Sequence, residues 1–167
     1  MDLKLPPQDI EAEKSVLGAL MLDKDAIIKV ADLITSADFY IPNHAKIFEA
    51  IFGLFEKAEP IDILSVSKKL KDENQLIEIG GSAYLTELIN LVPTAAHVSY
   101  YAKIVRQKKV FRDLIRASTE ITERVFDTSE DPEDLLDDVE QKIFSISQKS
   151  RPQNFVPIKD ELKAAYE

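Results

Sequence analysis

The residue types that bind phosphate or carry out catalysis are few in this chain and poorly spaced for either task. Its four glycines are Gly18, Gly53, Gly80 and Gly81. They form neither a G-x-x-x-x-G-K-[ST] nor a G-x-G-x-x-G loop, so the chain has no glycine-rich loop for a nucleotide phosphate. The two histidines, His44 and His97, lie far apart, and neither begins a metal-ligand spacing. We predict that His44 belongs to the start of a helix and not to a catalytic site.

Adjacent carboxylates are the other group of residues with chemical potential. They occur at Glu133-Asp134 and Asp137-Asp138, and paired carboxylates can act as a general acid and base. On an exposed helix, however, such pairs usually form a solvated face. The chain has no cysteine, which excludes disulfides, thiolate metal ligands and a cysteine nucleophile. We therefore predict that this segment catalyses nothing and holds no metal or cofactor.

The composition is that of an ordinary globular domain. The chain has 167 residues, of which 45% are hydrophobic and 31% are charged, enough for one well-buried domain with an appendage. No apolar run approaches the length of a membrane span, and the first residues do not form a signal peptide. The absence of cysteine fits a reducing compartment, so a cytoplasmic location is expected.

The charge is unevenly distributed. The net charge of −9 argues against strong binding of nucleic acid by this segment. One run is basic: Lys103, Arg106, Lys108, Lys109, Arg112 and Arg116. A later run is acidic: Asp127, Glu130, Asp131, Glu133, Asp134, Asp137, Asp138 and Glu140. Pairing between the two runs is favoured if they lie on neighbouring helices, although the basic run could instead contact DNA or an acidic partner.

The elements that position these residues are organised around residues 94–150. Helical spacing of apolar residues continues from Val98 to Phe126 without glycine or proline, which predicts a helix of about thirty residues where about 12 is usual. The pattern breaks at residues 127–132, where Asp131 can cap a second helix and Pro132 suits its first position. We predict a helical hairpin over residues 94–150, preceded by a globular head over residues 1–93.

The apolar face of the long helix changes direction along its length. Between Val98 and Val105 it occupies an arc of about 120°. In the second half the arc is about 140° wide and its centre lies about 110° further round, so the narrow stripe of the second helix can cover only one side of it. We infer that the hairpin oligomerises and docks partners, unless the N-terminal part of the chain covers the remaining face. The residues predicted at the oligomer interface are Phe111, Leu114, Ser118, Val125, Leu136, Val139 and Ile143.

The head is predicted to be helical throughout. Helical spacing of apolar residues occurs near residues 10–21, 26–33, 47–55, 63–70 and 84–89. The third of these segments is the most hydrophobic and is predicted to form the core, and Asp62 is a plausible cap for the fourth. Gly18 costs the first helix about 1 kcal/mol, which we attribute to close helix packing. The predicted fold is all-α: a six-helix globular head plus a long helical hairpin, followed by a short linker helix.

Residues 151–167 are predicted to form a polar linker and the start of a short amphipathic helix. Ile158, Leu162 and Tyr166 lie on one stripe of that helix. A helix of about ten residues is unstable alone, so this segment is expected to dock on another body. We also expect the chain to continue in a longer protein, since no stop signal follows Tyr166.

Five sequence blocks occur together along the chain. They are Pro6-Pro7-Gln8-x-x-Glu11-Ala12-Glu13-x-x-Val16-Leu17-Gly18, Asp38-Phe39-Tyr40-x-x-x-His44-x-x-Ile47-Phe48, Pro60-Ile61-Asp62, Gly80-Gly81-x-x-Tyr84-Leu85, and Pro93-x-Ala95-Ala96 followed by Tyr101-Ala102-x-Ile104-Val105. In this order and spacing they resemble the N-terminal domain of the DnaB family of bacterial replicative DNA helicases. The likeness spans essentially the whole chain. The segment from Phe155 to Tyr166 is similar to the family's linker helix, which precedes a RecA-like ATPase domain.

The resemblance implies an assembly and its partners. The N-terminal domains are expected to pair through hairpins and heads as a trimer of dimers, which forms a collar on a hexameric ring around single-stranded DNA. The linker helix would dock on a neighbouring motor domain through Ile158, Leu162 and Tyr166. ATP hydrolysis, Mg²⁺ binding and strand separation would belong to the ATPase domain. The C-terminal domain of primase would bind near the hairpin, and a helicase loader is a further candidate partner.

Five residues are implied at the primase contact. Tyr84, Ile115 and Ile121 look like positions of the family at that contact, and Arg112 and Arg116 lie beside them. Tyr84 could equally be a core residue of its own helix, and the two isoleucines could pack on the returning helix. Two other functions stay open: a stand-alone helical adaptor without helicase activity, and a collar that binds DNA directly.

Overall fold

The computed structural model describes residues 4–127 and 129–150. Within these residues the α-helices are α1 Ile10–Leu22, α2 Pro42–Glu56, α3 Ile63–Asp72, α4 Gly81–Asn90, α5 Val98–Phe126 and α6 Pro132–Ser150. Two 3-10 helices, Ala26–Lys29 and Ser36–Asp38, lie between α1 and α2. No strand occurs in this part of the chain, so the all-α prediction is confirmed, with four α-helices and two 3-10 helices in the head. The predicted linker helix with Ile158, Leu162 and Tyr166 lies outside the described residues.

The helices of the head begin at residues that are suited to helix starts. The Asp9 carboxylate accepts a hydrogen bond from the Ala12 N–H at 2.9 Å and caps α1. The Asp62 carboxylate accepts from the Ser65 N–H at 2.8 Å and caps α3, as predicted. Pro42 is the first residue of α2, where its missing N–H removes no helical hydrogen bond.

The centre of the head is α1, which packs against α2, α4 and α5. Residues 16–21 of this helix are buried without interruption, because neighbours cover it on several sides. The hydrophobic helix predicted as the core, α2, contributes Ile47, Phe48, Ile51 and Leu54 from one face. The core therefore lies between α1 and its neighbours.

Two glycine sites shape the packing of α4. A Cβ atom at Gly18 of α1 would overlap the backbone carbonyl of Leu88 in α4 and would lie 2.8 Å from Cγ2 of Val92. Close helix packing is therefore the reason for this glycine, as predicted. At the start of α4, Gly80 and Gly81 have φ values of +105° and +72°, which most other residues adopt only with strain.

The hairpin consists of α5 and α6. The Asp131 carboxylate accepts a hydrogen bond from the Glu133 N–H at 2.8 Å, and Pro132 is the first residue of α6, as predicted. Ion pairs join Arg124 to Asp138 and Glu120 to Lys142. In both pairs the two residue numbers add up to 262, so each residue of α5 lies opposite the residue of α6 that completes this sum. In this register α6 ends opposite about residue 112 of α5, at 1.5 Å per residue in both helices.

Two local predictions differ from the structure. The helix predicted over residues 26–33 is a 3-10 helix at Ala26–Lys29 followed by turns, and the β-branched residues Ile27, Ile28 and Val30 disfavour a regular α-helix there. The long helix begins at Val98 and not directly after Pro93. The turn between these residues places the Ala95 side chain in the core. The burial of this side chain compensates for the helical turn that is not formed.

Candidate protein-interaction surface

One side of the hairpin exposes large apolar side chains. Six of them define what we call the hairpin face: Phe111, Leu114, Ile115, Val125, Leu136 and Ile143. Phe111 is 54% exposed, Val125 59% and Leu136 62%. An α-helix turns by about 100° per residue. The hairpin-face residues of α5 are therefore rotated by about 110° about the helix axis from the residues that face α6. These inward residues include Ala117, which is 2% exposed.

The exposed residues of α5 and α6 point to the same side of the hairpin. On α6, Leu136 and Ile143 are rotated by about 80° about the helix axis from the half-buried residues that face α5. This rotation has the same sense as the rotation of the exposed residues on α5. In an antiparallel pair of right-handed helices, equal rotational senses bring the two stripes to one side. The hairpin face is therefore continuous across both helices. Ser118 and Val139, also predicted at the interface, are exposed and half-buried respectively.

The small polar residues of this face are satisfied within their own helix. The Ser118 hydroxyl donates to the Leu114 carbonyl at 2.8 Å, and the Thr122 hydroxyl donates to the Ser118 carbonyl at 2.8 Å. Each hydroxyl therefore keeps a hydrogen-bond partner if another protein covers the face. The cost of removing these hydroxyls from water is correspondingly low.

Arginines of α5 attach the start of the hairpin to the head. Arg112 donates to the carbonyl oxygens of Pro7 at 2.8 Å and Asp38 at 2.7 Å, and its guanidinium lies 5.5 Å from the centre of the Tyr40 ring. Arg106 donates to the buried Asp38 carboxylate at 2.5 Å. The predicted pairing of the basic run with the acidic run is wrong for these two arginines, because the acidic residues of α6 lie opposite about residues 122–129, at the end of α5. Arg124 supplies the ion pairs to the acidic run, with Glu130 and Asp138.

The five residues predicted at the primase contact lie on two helices, α4 and α5, and differ in their exposure. Ile115 is 53% exposed on the hairpin face, whereas Ile121 is half-buried toward α6. Arg116 is exposed on α5, and the guanidinium of Arg112 is held against the head. Tyr84 belongs to α4 and is half-buried. Ile115 and Tyr84 therefore lie on separate elements, and only the first belongs to the hairpin face.

Tyr84 ends a buried chain of hydrogen bonds in the head. Its hydroxyl is 2.6 Å from Nε2 of His44, and Nδ1 of His44 is 2.7 Å from Oε2 of Glu13. The Glu13 carboxylate also accepts the N–H groups of Tyr40 at 2.5 Å and Ile41 at 3.3 Å. Glu13 and His44 are each 1% exposed. His44 does lie at the start of α2, as predicted, but its ring belongs to this buried network.

The surroundings of Tyr84 change the pKa of its phenol. Burial raises the pKa of the Tyr84 phenol, and the negative charges of Glu87, Glu13 and Glu11 raise it further. The phenol therefore keeps its proton at neutral pH, and its hydroxyl can either donate to or accept from Nε2 of His44.

The sequence did not lead us to single out Glu13 as a member of this network, although it contains a signal for its burial. Glu13 lies four residues before Leu17 and seven before Leu20, so it shares the apolar face of α1. A charged residue on such a face is seldom fully buried unless it is paired. That position alone predicts a buried partner, whereas the identity of the partner depends on the tertiary packing of α1, α2 and α4.

The described residues hold no cluster of histidine, aspartate and glutamate suited to a metal ion. An open cavity of about 610 Å³ lies between α2 and α3, where Lys69 pairs with Glu73 at 2.6 Å. Its charged side chains have both signs, so it offers no distinct anion or cation site. None of the helices in the described ranges is long and apolar enough to cross a bilayer.

Comparisons with known proteins agree with this architecture. The family model of the DnaB-like helicase N terminal domain matches residues 5–107, which comprise the head and the start of α5. The replicative DNA helicase DnaB of Geobacillus stearothermophilus is 42% identical over 164 residues, and the replicative DNA helicase DnaC of Bacillus subtilis is 40% identical. Each alignment covers 98% of this chain and 36% of the relative, so the chain spans about a third of their length.

Solved structures extend the likeness to the hairpin. The crystal structure of the N-terminal domain of DnaB helicase from Mycobacterium tuberculosis is 38% identical, with a TM-score of 0.80, and the match covers 84% of this chain and 99% of that one. A DnaB-like replicative helicase, described together with its interactions with primase, has a TM-score of 0.75 at 21% identity and shows the shared fold. The family match over the head, the close relatives and the shared fold lead to one conclusion: the chain belongs to the DnaB-like helicase N-terminal domain family.

Proposed function

We propose that this chain is the N-terminal collar domain of a hexameric replicative DNA helicase, which assembles the ring and binds primase at the bacterial replication fork. ATP hydrolysis with Mg²⁺ and DNA unwinding then belong to the remainder of the parent protein, whose ring encircles single-stranded DNA in the cytoplasm. The relatives support this proposal, because two of them are named replicative DNA helicases and are about three times as long as this chain.

The observation that carries the assembly role is the hairpin face. A continuous apolar surface of this kind is unusual on a monomer and marks an interface. The face combines Phe111 and Val125 of α5 with Leu136 of α6, and its hydroxyl groups are already satisfied. In a twofold dimer the same face serves both copies, so one apolar face per chain is sufficient. Three such dimers complete the proposed hexamer.

The primase contact is the second part of the proposal. It places Tyr84, Arg112, Ile115, Arg116 and Ile121 at or near the surface that the C-terminal domain of primase binds. Ile115, at the margin of the hairpin face away from α6, and Arg116 are exposed and can touch a partner directly, whereas Arg112 and Ile121 support the shape of the hairpin. The structural relative described with its primase interactions is in keeping with such a partner.

Contacts of the linker complete the proposed assembly. Ile158, Leu162 and Tyr166 are predicted to dock on the motor domain of a neighbouring subunit. A helicase loader is a further predicted partner of the parent protein. Both stay predictions from the resemblance, since the linker lies outside the described residues.

The assembly role is tested by measuring the mass of this chain with light scattering across a range of concentrations. We expect a species larger than a monomer for the natural sequence and a monomer for the double variant Phe111→Asp/Val125→Asp. Circular dichroism should show the same helix content in both proteins. A matched control is Ile28→Asp/Leu64→Asp, which replaces two exposed apolar residues of the head, 66% and 77% exposed, and should leave the mass unchanged. A monodisperse monomer for the natural sequence at all concentrations would overturn the assembly role.

The primase role is tested by calorimetric titration of the chain with the C-terminal domain of primase from the same organism. Saturable binding that Ile115→Asp weakens at least about tenfold is expected, since loss of one buried apolar contact with burial of a charge exceeds 1.4 kcal/mol. Binding that is insensitive to Ile115, Arg116 and Tyr84 variants would remove primase from this surface.

A further inference from the structure

The buried pair of Glu13 and His44 is not explained by stability alone. Both side chains are 1% exposed, and Glu13 lies on the otherwise apolar face of α1. Burying a carboxylate removes it from water, and well-packed apolar residues at such positions often give equal or greater stability. The pair therefore calls for an effect beyond holding the core together.

The geometry of the pair restricts one side chain that reaches the surface. The Tyr84 ring lies nearly parallel to the His44 ring, with centroids 6.0 Å apart and an angle of 6° between the planes. Its hydroxyl is held by Nε2 of His44 at 2.6 Å. The imidazole is itself fixed by Glu13 through Nδ1 at 2.7 Å. Tyr84, which is half-buried at the surface of α4, therefore has both its ring plane and its oxygen position fixed.

The same carboxylate also supports the segment beneath Arg112. Oε1 of Glu13 accepts the Tyr40 N–H at 2.5 Å, and the Tyr40 ring lies under the Arg112 guanidinium at 5.5 Å. Glu13 thus stands between Tyr84 and Arg112, two of the residues placed at the primase contact. A single buried group joins α1, the start of α2, α4 and α5.

We propose that Glu13 and His44 are positioning residues that hold the Tyr84 ring in the orientation that the partner protein binds. The proposal rests on the proposed function, in which Tyr84 contacts primase. A side chain that is already immobilised loses less conformational entropy on binding, so the free domain is prepared for its partner. His44 and Glu13 act on affinity without touching the partner.

The test is a double-mutant cycle on the dissociation constant of the full chain with the C-terminal domain of primase. His44→Phe keeps an aromatic ring at this position and removes the hydrogen bond to Tyr84, whereas Tyr84→Phe removes the hydroxyl alone. Each single variant is expected to weaken binding about 5–10-fold, the range that the ordering of one side chain represents. Because both variants break the same hydrogen bond, the double variant should bind no more weakly than either single variant.

A spectroscopic readout separates orientation from general stability. With tyrosines labelled at ¹³Cζ, the chain gives one resonance for each of its five tyrosines. The Tyr84 resonance, assigned by its loss in Tyr84→Phe, should shift in His44→Phe while the others stay in place. Glu13→Gln keeps an acceptor oxygen for the imidazole and should retain most of the affinity, in contrast to Glu13→Leu.

The outcomes separate this proposal from the proposed function. If Tyr84→Ala binds primase as tightly as the natural chain, Tyr84 is not at the contact. The primase contact at Tyr84 and the positioning role of His44 and Glu13 are then both overturned. If Tyr84→Ala weakens binding but Tyr84→Phe does not, the contact stands and the positioning role of His44 and Glu13 is overturned. The Tyr84→Phe arm decides this point even if His44→Phe fails to fold, since it removes one half-buried hydroxyl only.

Discussion

The backbone of Gly18 in α1 lies directly against the carbonyl group of Leu88 in α4, with no space for a side chain between them. Gly18→Ala is expected to destabilise the domain by about 1–3 kcal/mol, because overpacking exceeds the gain in helix propensity of about 1 kcal/mol. Urea denaturation followed by circular dichroism measures the change.

Gly53 in α2 provides the matched control. A Cβ atom there would lie 2.9 Å from Cε of Lys69, the end of a flexible side chain that can move aside. Gly53→Ala should therefore be neutral or stabilise the domain by up to about 1 kcal/mol. Equal destabilisation by the two alanines would contradict the close approach of α1 and α4.

Arg112 is expected to stabilise the junction of head and hairpin. Arg112→Ala removes two hydrogen bonds from a charged group to the carbonyl oxygens of Pro7 and Asp38, so the free energy of unfolding should fall by about 2 kcal/mol. Arg116→Ala, one turn further along α5 and exposed, should change it by less than about 0.5 kcal/mol. Equal effects of the two variants in a denaturant titration would show that the contacts of Arg112 add nothing to the free energy of unfolding.

Ile115 and Ile121 should respond differently to the same substitution. Ile121→Asp places a charge on the side of α5 that faces α6, and it should expose the amides of α6 to hydrogen exchange. Ile115→Asp alters the exposed hairpin face and should leave that exchange unchanged. Faster exchange in α6 for Ile115→Asp would place this residue inside the hairpin instead.

The Asp62 cap makes stability depend on pH. Hydrogen bonds from Ser65, above all its backbone N–H, hold the pKa of the Asp62 carboxyl below its ordinary value. This contribution is fully present above the unfolded pKa of about 3.9 and is lost as the pH falls through the lower folded value. Asp62→Ala should cost about 1 kcal/mol at pH 7 and less at pH values below the folded pKa. Asp62→Asn keeps a capping oxygen, so its difference from Asp62→Ala should not change with pH.

Helices, caps and the apolar arcs of α5 were predictable because they depend on residues close in sequence. The cap at Asp62 and the start of α6 at Pro132 follow local rules. The hydrogen-bond partners of the charged residues could not be predicted from such rules. Arg112 lies near the acidic α6 in sequence, yet it binds carbonyl groups of residues 7 and 38, which tertiary packing alone brings to it.

One part of the candidate site could also be predicted from the sequence, and another part could not. The outward direction of Phe111 and Val125 could be predicted from helical periodicity, since it depends on spacing within α5. The link from Glu13 through His44 to Tyr84 joins three helices, and no spacing in one segment contains it. Of this network, the sequence indicated only the unusual position of Glu13 on an apolar face.

The unbroken course of α5 connects movements of the head to movements of the hairpin tip. The helix is anchored in the core at Val98 and Val105, and it contains neither glycine nor proline before Phe126. Beyond Arg112 it projects by about 21 Å, so a rotation of the head by about 10° moves the tip by about 4 Å. A small change of tilt in one head is thereby amplified into a displacement of nearly a side-chain width at the tip.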